Sequence, residues 1–356
     1  MIFHPTDAID SNVKMDHVSL LNSTGNQQID DLLCGAIGVF ESVFPRRIRG
    51  YYLVGSYRNG DAIPSSDLDV MVVFGGKLGT EEEQICRKLS NYCSLISPIR
   101  LEFLPCSEAQ RFNGREHLLK CRSLLLLGED IREAIAVQPP QDALALFPDY
   151  FGSLKVIRAF WAWPDILIYP VAYPDPDGEF YGYDLMGIKL TTWPEDDYAP
   201  GTRTLVAHIA CAATVMVRMR VSCHIGSKRE AIEFYRRYIG DEWTPLVEDV
   251  YAKCRGEWHY LIPEKPFERA HLREFCKRTL AFENHVLAEC RAYLHGKLRD
   301  DDEELVLLAT ELAGEAMFVD AETEAVLKLL ESHDQTKIRR AAHESLKSLH
   351  RVQVEQ

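Results

Sequence analysis

The sequence predicts an α+β protein in which a small mixed-sheet domain leads and an all-helical domain follows. Two changes in hydrophobic period carry that prediction. Apolar residues recur at helical spacing over 27–44, give way to short β-type runs over 51–105, and return to helical spacing after Pro140.

In the first helix Ile29, Leu32, Leu33, Ala36, Ile37 and Phe40 fall at i, i+3, i+4, i+7, i+8 and i+11. Three strands follow. YYLVGS (51–56) is an apolar run ending in Gly-Ser, DLDVMVVF (67–74) is β-branched and partly alternating, and IRLEFLP (99–105) is closed by its proline. Between the second and third, Thr80 and Glu83 have the spacing of a capping box that opens a helix toward Cys93. The first domain then spans 1–140, ending near LLLLGEDIREAI (124–135) and Pro139-Pro140.

A helical domain is expected over 141–298, with helices at Leu144–Phe160, Thr202–Val221, Lys228–Tyr238, Trp243–Lys253 and Phe267–Leu294. A long irregular insertion, 163–200, interrupts it. Residues 299–356 form a charged helical extension, expected to suit a protein partner. Within it, DAETEAVLKLLESHDQTKIRRAAHESLKSL is similar to one helix pair of a HEAT-type repeat.

Composition narrows the function classes. The 356 residues are 46% hydrophobic and 26% charged, which excludes a disordered chain, a collagen and a small disulfide scaffold. No apolar run reaches the roughly 18 residues that span a bilayer, and MIFHPTDAIDSNVKMD lacks a signal-type apolar core, so a cytoplasmic protein without membrane contact is expected. A net charge of −14 repels polyanions and attracts cations. Together with the lack of a basic stripe interleaved with aromatics, it argues against nucleic acid and for a small cationic substrate. The ten cysteines include no Cys-x-x-Cys pair and read as reduced core residues. His208 and His224 show no ligand spacing and read as structural.

The chemistry concentrates in GSYRNGDAIPSSDLDV (55–70). Asp67 and Asp69 are two apart on a strand, so their carboxylates share a face while Leu68 and Val70 take the other. Two acids so placed repel unless a cation lies between them, and hard oxygen ligands suit magnesium that also holds phosphates. Gly55-Ser56 offers a close-approaching backbone and a hydroxyl to a phosphate. Glu102 sits in the third strand with Arg100 and Leu104 on its face; if that strand pairs beside 67–74, three carboxylates converge.

Gly-Ser, ten residues, Asp-x-Asp, and a later acid in an apolar strand together resemble the nucleotidyltransferase superfamily that includes DNA polymerase β. GSYRNGDAIPSSDLDV is similar to the G-S-x-A-R-G-x-x-x-x-x-S-D-x-D pattern of its small-molecule branch, and LLLLGEDIRE to the segment closing the domain in antibiotic nucleotidyltransferases. Downstream, IGSKREAIEFYRRYIGDEWTPLVEDVY (225–251) resembles part of the streptomycin/spectinomycin (aminoglycoside 3'') adenylyltransferases. The matches cover about 45–255.

The resemblance implies an adenylyltransferase using ATP and Mg²⁺ on an aminoglycoside or aminocyclitol antibiotic. It assigns Gly55 and Ser56 to the phosphates, Asp67, Asp69 and Glu102 to the metal, Glu102 also to the base role, and Lys228 to the triphosphate. The family's arginine position is Asn59 here, with Arg58 one place earlier as a nucleotide contact; Arg218 and Arg220 are candidates for a second arginine. Ser227 with Glu230 also reads as a plain helix cap. Trp161, Trp163 and Tyr173 near Asp165, Asp175, Asp177 and Glu179 suggest an acidic, aromatic patch for a polycationic sugar. Two rival functions are an antitoxin-like protein adenylyltransferase and a degenerate nucleotide-binding module.

Overall fold

A computed structural model describes residues 18–159, 168–171, 179–188, 198–314 and 318–354. Backbone contacts divide the chain into two compact units, Met1–Ala62 with Ser66–Val137, and Ile63–Ser65 with Gln138–Gln356.

The first unit is built on a four-stranded sheet. Helix α1 (Gln27–Val43) starts where Asn26 accepts from the N–H groups of Gln28 and Ile29, and it buries the predicted stripe through Ile29, Leu33, Ile37 and Phe40. Strands β1 (Ile48–Val54), β2 (Leu68–Phe74), β3 (Leu101–Ser107) and β4 (Leu124–Gly128) lie in the order β3-β2-β1-β4; β1 is antiparallel to both neighbours and β2 is parallel to β3. The short α2 (Gly55–Asn59) joins β1 to the loop before β2, and α3 (Thr80–Ile96) crosses from β2 to β3. This is the expected α+β class.

Alternation assigns the two sheet faces. Tyr51, Leu53, Leu68, Val70, Val72, Phe74, Leu101 and Phe103 pack under α1 and α3, with Phe40 stacked on Phe103 at 4.3 Å. Tyr52, Val54, Met71, Val73 and Cys106 face the other way and are covered by Phe112, Leu119, Ile131 and Ile135. Each such fully buried large side chain contributes about 2 kcal/mol of transfer free energy.

Three details differ from the sequence reading. The α3 cap is Gly79, whose N–H donates to Glu82 Oε2 at 3.0 Å, with Thr80 as first helical residue; Arg47 then pairs with Glu82 and joins α3 to the turn between α1 and β1. Strand β3 runs through Pro105 to Ser107, which an edge strand tolerates because a missing N–H on its outer side breaks no ladder bond. The four-leucine run that closes the domain is itself a strand, β4, and Leu21 N–H bonds to Leu126 O on its open side at 2.7 Å.

The second unit is helical. A 3₁₀ turn, Ala143–Leu146, leads into α5 (Phe147–Ala159). Two-residue strands β5 (Leu185–Met186) and β6 (Gly201–Thr202) pair ahead of α6 (Arg203–Arg220), which is apolar around most of its girth and forms the centre of the unit. Around it lie α7 (Lys228–Tyr238), α8 (Thr244–Val250) with a π-helical continuation to Glu257, and α9 (Pro266–Lys297). Helices α10 (Glu303–Ala313), α11 (Ala321–Leu330) and α12 (Thr336–Val354) add Val306, Ala309, Leu327, Ile338 and Leu349 to the same continuous core. Among the described residues no helix is long and apolar enough to cross a membrane.

All ten cysteines are free thiols. Six are buried, but Cys121 is exposed, contrary to the expectation that all are core residues: it ends the short helix α4 (Glu116–Cys121), whose inward residue is Leu119.

Candidate active site

Three carboxylates meet at the end of the sheet face that carries Tyr52, Val54 and Met71. In the parallel β2–β3 ladder Asp69 lies opposite Glu102, and Asp67 precedes β2 by one residue. One oxygen from each of Asp67, Asp69 and Glu102 can be chosen so that all lie within 4.8 Å of one another, and all three residues are half-buried. The strand pairing left conditional by the sequence is therefore present.

At that separation each pair of unit charges repels by about 3 kcal/mol or more for an effective dielectric constant near 20. An all-carboxylate donor set of this kind fits a hard divalent cation such as Mg²⁺. A second grouping among the described residues is His295, Asp320 and Glu322. Arg291 donates to Asp320 at 2.8 and 3.0 Å and to Glu322 at 2.8 Å, so this grouping is an ion-pair network.

Val54 pairs with Asp69 across the β1–β2 ladder, which places the start of α2 beside that carboxylate. Gly55 has φ +71°, and a Cβ on it would lie 2.2 Å from Asp69 Oδ2. Only glycine satisfies both conditions. Ser56 follows half-buried, and its carbonyl accepts the N–H groups of Gly60 and Asp61, closing α2 with a left-handed glycine at φ +69°. Arg58 is exposed on the last turn of α2, and Asn59 is half-buried.

Tyr57 was not singled out from the sequence. Its ring packs on the core beneath α1 and α3, and burial, then the Asp67 carboxylate, push its phenol above the ordinary range. Its phenol therefore stays neutral; the sequence carried no sign of this because the burial of Tyr57 is set by the fold.

The remaining assigned residues lie on the second unit. Lys228 is the first residue of α7; Ser227 Oγ accepts from Glu230 N–H at 3.1 Å, and Glu230 Oε2 accepts from Gly226 N–H at 2.8 Å. Ser227 therefore caps as expected, while Glu230 reaches back one residue further than a standard box. Arg218 donates to the Gln141 carbonyl, and Arg220 pairs with Glu289 at 2.9 Å.

Of the acidic, aromatic patch, Trp161, Trp163, Asp165, Tyr173, Asp175 and Asp177 lie outside the described residues. Glu179 is described, and it offers no free carboxylate. Arg269 and Arg273 both pair with it, and the bond from Arg269 is the main cause that holds its carboxyl below the usual range.

His208 is structural in a demanding way. Its Nε2 lies 2.8 Å from Glu283 Oε1, both side chains are almost fully buried, Ser153 Oγ lies 3.1 Å from Nδ1, and the Tyr183 hydroxyl donates to the same Glu283 oxygen.

Residues 34–125 match the family model of the nucleotidyltransferase domain, the segment that carries Gly55, Ser56 and all three carboxylates. No curated protein matches the chain. The match supports nucleotidyl transfer as the general chemistry of the first unit.

Proposed function

We propose that the protein transfers AMP from ATP to a hydroxyl of a small cationic molecule, an aminoglycoside or aminocyclitol antibiotic, with Mg²⁺ held by Asp67, Asp69 and Glu102. The observation that carries this reading is the convergence of those three carboxylates within a segment that matches the nucleotidyltransferase domain. A divalent cation bound there supplies charge neutralisation for the polyphosphate and its leaving oxygen.

Each residue has a defined task. Gly55 lets the backbone close on Asp69 without displacing it, and Ser56 supplies a hydroxyl and an N–H to the phosphates. Glu102 takes the proton of the acceptor hydroxyl as its oxygen bonds to the α-phosphorus; the bond from that phosphorus to the bridging oxygen breaks, and pyrophosphate departs. Arg58 is the proposed nucleotide contact from α2, and Lys228 is assigned to the triphosphate on the sequence resemblance. The net charge of −14 supports a polycationic acceptor.

Mass spectrometry of an aminoglycoside panel incubated with the protein, ATP and MgCl₂ tests this reading, with Asp67→Asn and Glu102→Gln as controls. The expected result is one adenylyl unit added by the wild type and by neither control. Turnover of ATP with every drug unmodified would reject the antibiotic acceptor, and an adenylylated protein would replace it with a protein target.

A further inference from the structure

We propose that Ser90 and Ser94, two buried serines of α3, are positioning residues for Glu102, because their hydroxyls hold the backbone on either side of it along the open edge of β3. This inference rests on the metal and base roles given to Glu102 above.

Among the described residues β3 is an edge strand, paired with β2. Successive residues of a strand direct their backbone polar groups to opposite sides. The Arg100 carbonyl accepts from Leu68 N–H at 2.8 Å, so Arg100, Glu102 and Leu104 turn their backbone toward β2, and Leu101, Phe103 and Pro105 turn theirs outward. Pro105 has no N–H to leave unpaired. Leu101 and Phe103 do, and both residues are buried, where an unmade peptide hydrogen bond is costly.

Helix α3 supplies what a further strand would have given. Leu101 N–H donates to Ser94 Oγ at 3.1 Å. Phe103 N–H donates to Ser90 Oγ at 2.9 Å, and the same hydroxyl donates to the Leu101 carbonyl at 3.3 Å. Ser90 and Ser94 are four residues apart, hence neighbours on the buried face of α3. A serine inside a helix has modest propensity and ordinarily turns to solvent or bonds back to its own helix. These two reach across to the strand.

Ser90 does more than cover an edge. The Leu101 carbonyl belongs to the peptide group before the Glu102 α-carbon, and the Phe103 N–H belongs to the one after it. One hydroxyl therefore bridges both of the planar peptide groups whose orientation sets the Glu102 Cα–Cβ direction. On the inner side Glu102 lies opposite Asp69 in the ladder. The backbone of Glu102 is thus gripped from both sides, and its carboxylate is held in the cluster against repulsion from Asp67 and Asp69. Loss of the Ser90 hydroxyl frees the two peptide groups to rotate, and that repulsion turns Glu102 away.

Mn²⁺ binding to the full chain, followed by electron paramagnetic resonance, reads the placement of Glu102, and hydrogen–deuterium exchange reads the edge. Ser90→Ala is expected to speed exchange in peptides spanning 99–104, to leave β1 protected as in the wild type, and to raise the Mn²⁺ dissociation constant about fivefold to tenfold, the worth of one hydrogen bond. Ser94→Ala, which removes only the acceptor for Leu101 N–H, should shift both readouts in the same direction by less. Cys86→Ala trims another buried side chain on the same helix and leaves these bonds in place. It should lower stability without changing Mn²⁺ affinity, which separates positioning from a general loosening of the core. In a Glu102→Gln background, Ser90→Ala should cause no further loss of affinity, because the two act through one group. Unchanged exchange over 99–104 in both serine variants would overturn the edge contact. Faster exchange with wild-type Mn²⁺ affinity, or the same loss of affinity with and without the Glu102 carboxylate, would overturn the positioning role. A wild type whose Mn²⁺ binding is insensitive to Asp67→Asn and to Glu102→Gln would instead reject the metal-site reading, and the positioning role with it.

Discussion

Gly55 and Asp69 meet so closely that the hydrogen on the Gly55 α-carbon occupies the only place a Cβ could take, 2.2 Å from Asp69 Oδ2. The pairing of Val54 with Asp69 brings the two residues together, and the positive φ of Gly55 turns the chain into α2 at the same point.

Gly55→Ala is therefore expected to displace the Asp69 carboxylate as well as to strain the backbone. A misplacement of about 1 Å at a reacting centre costs about 10²-fold in rate. Nucleotidyl transfer in Gly55→Ala should fall by at least that factor, whereas Gly60→Ala, with open space at its Cβ, should retain most activity and lose only stability. Steady-state kinetics with thermal melts of both variants make the check.

The two roles given to the acid cluster should separate. Asp69→Asn is expected to abolish Mn²⁺ binding, since it removes one of the three carboxylate charges of the cluster. Glu102→Gln is expected to weaken Mn²⁺ binding and to lower kcat by about 10²–10⁴-fold, the range for loss of a general base. Equal loss of metal affinity in both variants, with kcat recovered at saturating Mn²⁺, would leave Glu102 as a ligand only.

Glu283 and His208 form a pair with 0% and 1% of their side chains exposed. Removing one member leaves the other without its partner in the core. Glu283→Ala should destabilise the helical unit by about 3–5 kcal/mol, seen as a shift of its urea midpoint. Glu283→Gln, which keeps the shape and an acceptor for Tyr183, should cost less.

Asp320 caps α11 through the N–H groups of Glu322 and Thr323 and accepts from Arg291. Burial raises its pKa, but the bonds from Arg291 and from Thr323 N–H outweigh that and hold it at about 2. Because the folded value is depressed below the ordinary aspartate value of 3.8, its contribution is full above about pH 4 and is lost as pH falls toward 2. Asp320→Asn keeps a good capping side chain and loses the charge. It is expected to cost about 1–2 kcal/mol at pH 7 and almost nothing near pH 2, measured by urea unfolding at both values.

Much of the first unit was legible from local pattern. The helical stripe through Ile29, Leu33, Ile37 and Phe40, the β-branched run over 67–74 and the Gly-Ser to Asp-x-Asp spacing each express a constraint that acts within a few residues. The β4 strand was harder to read, because four consecutive leucines carry no period and suit a buried strand or a helix equally. The cap at Gly79 was obscured by Thr80, a better capping residue on propensity alone; Glu82 accepts the Gly79 N–H and pairs with Arg47.

Local pattern in the chain is enough to set the α+β class, the alternation that puts Asp67 and Asp69 on one face, and the residue types that suit a cation and a phosphate. Only the packed chain settles that β3 lies parallel beside β2 in a register that sets Glu102 against Asp69, and that Val54 pairs with Asp69 so that Gly55 closes on its carboxylate. The physical reason is range. Side-chain period and turn chemistry are properties of neighbouring residues, whereas the register of strands separated by a whole helix, α3, is settled only when distant apolar faces pack.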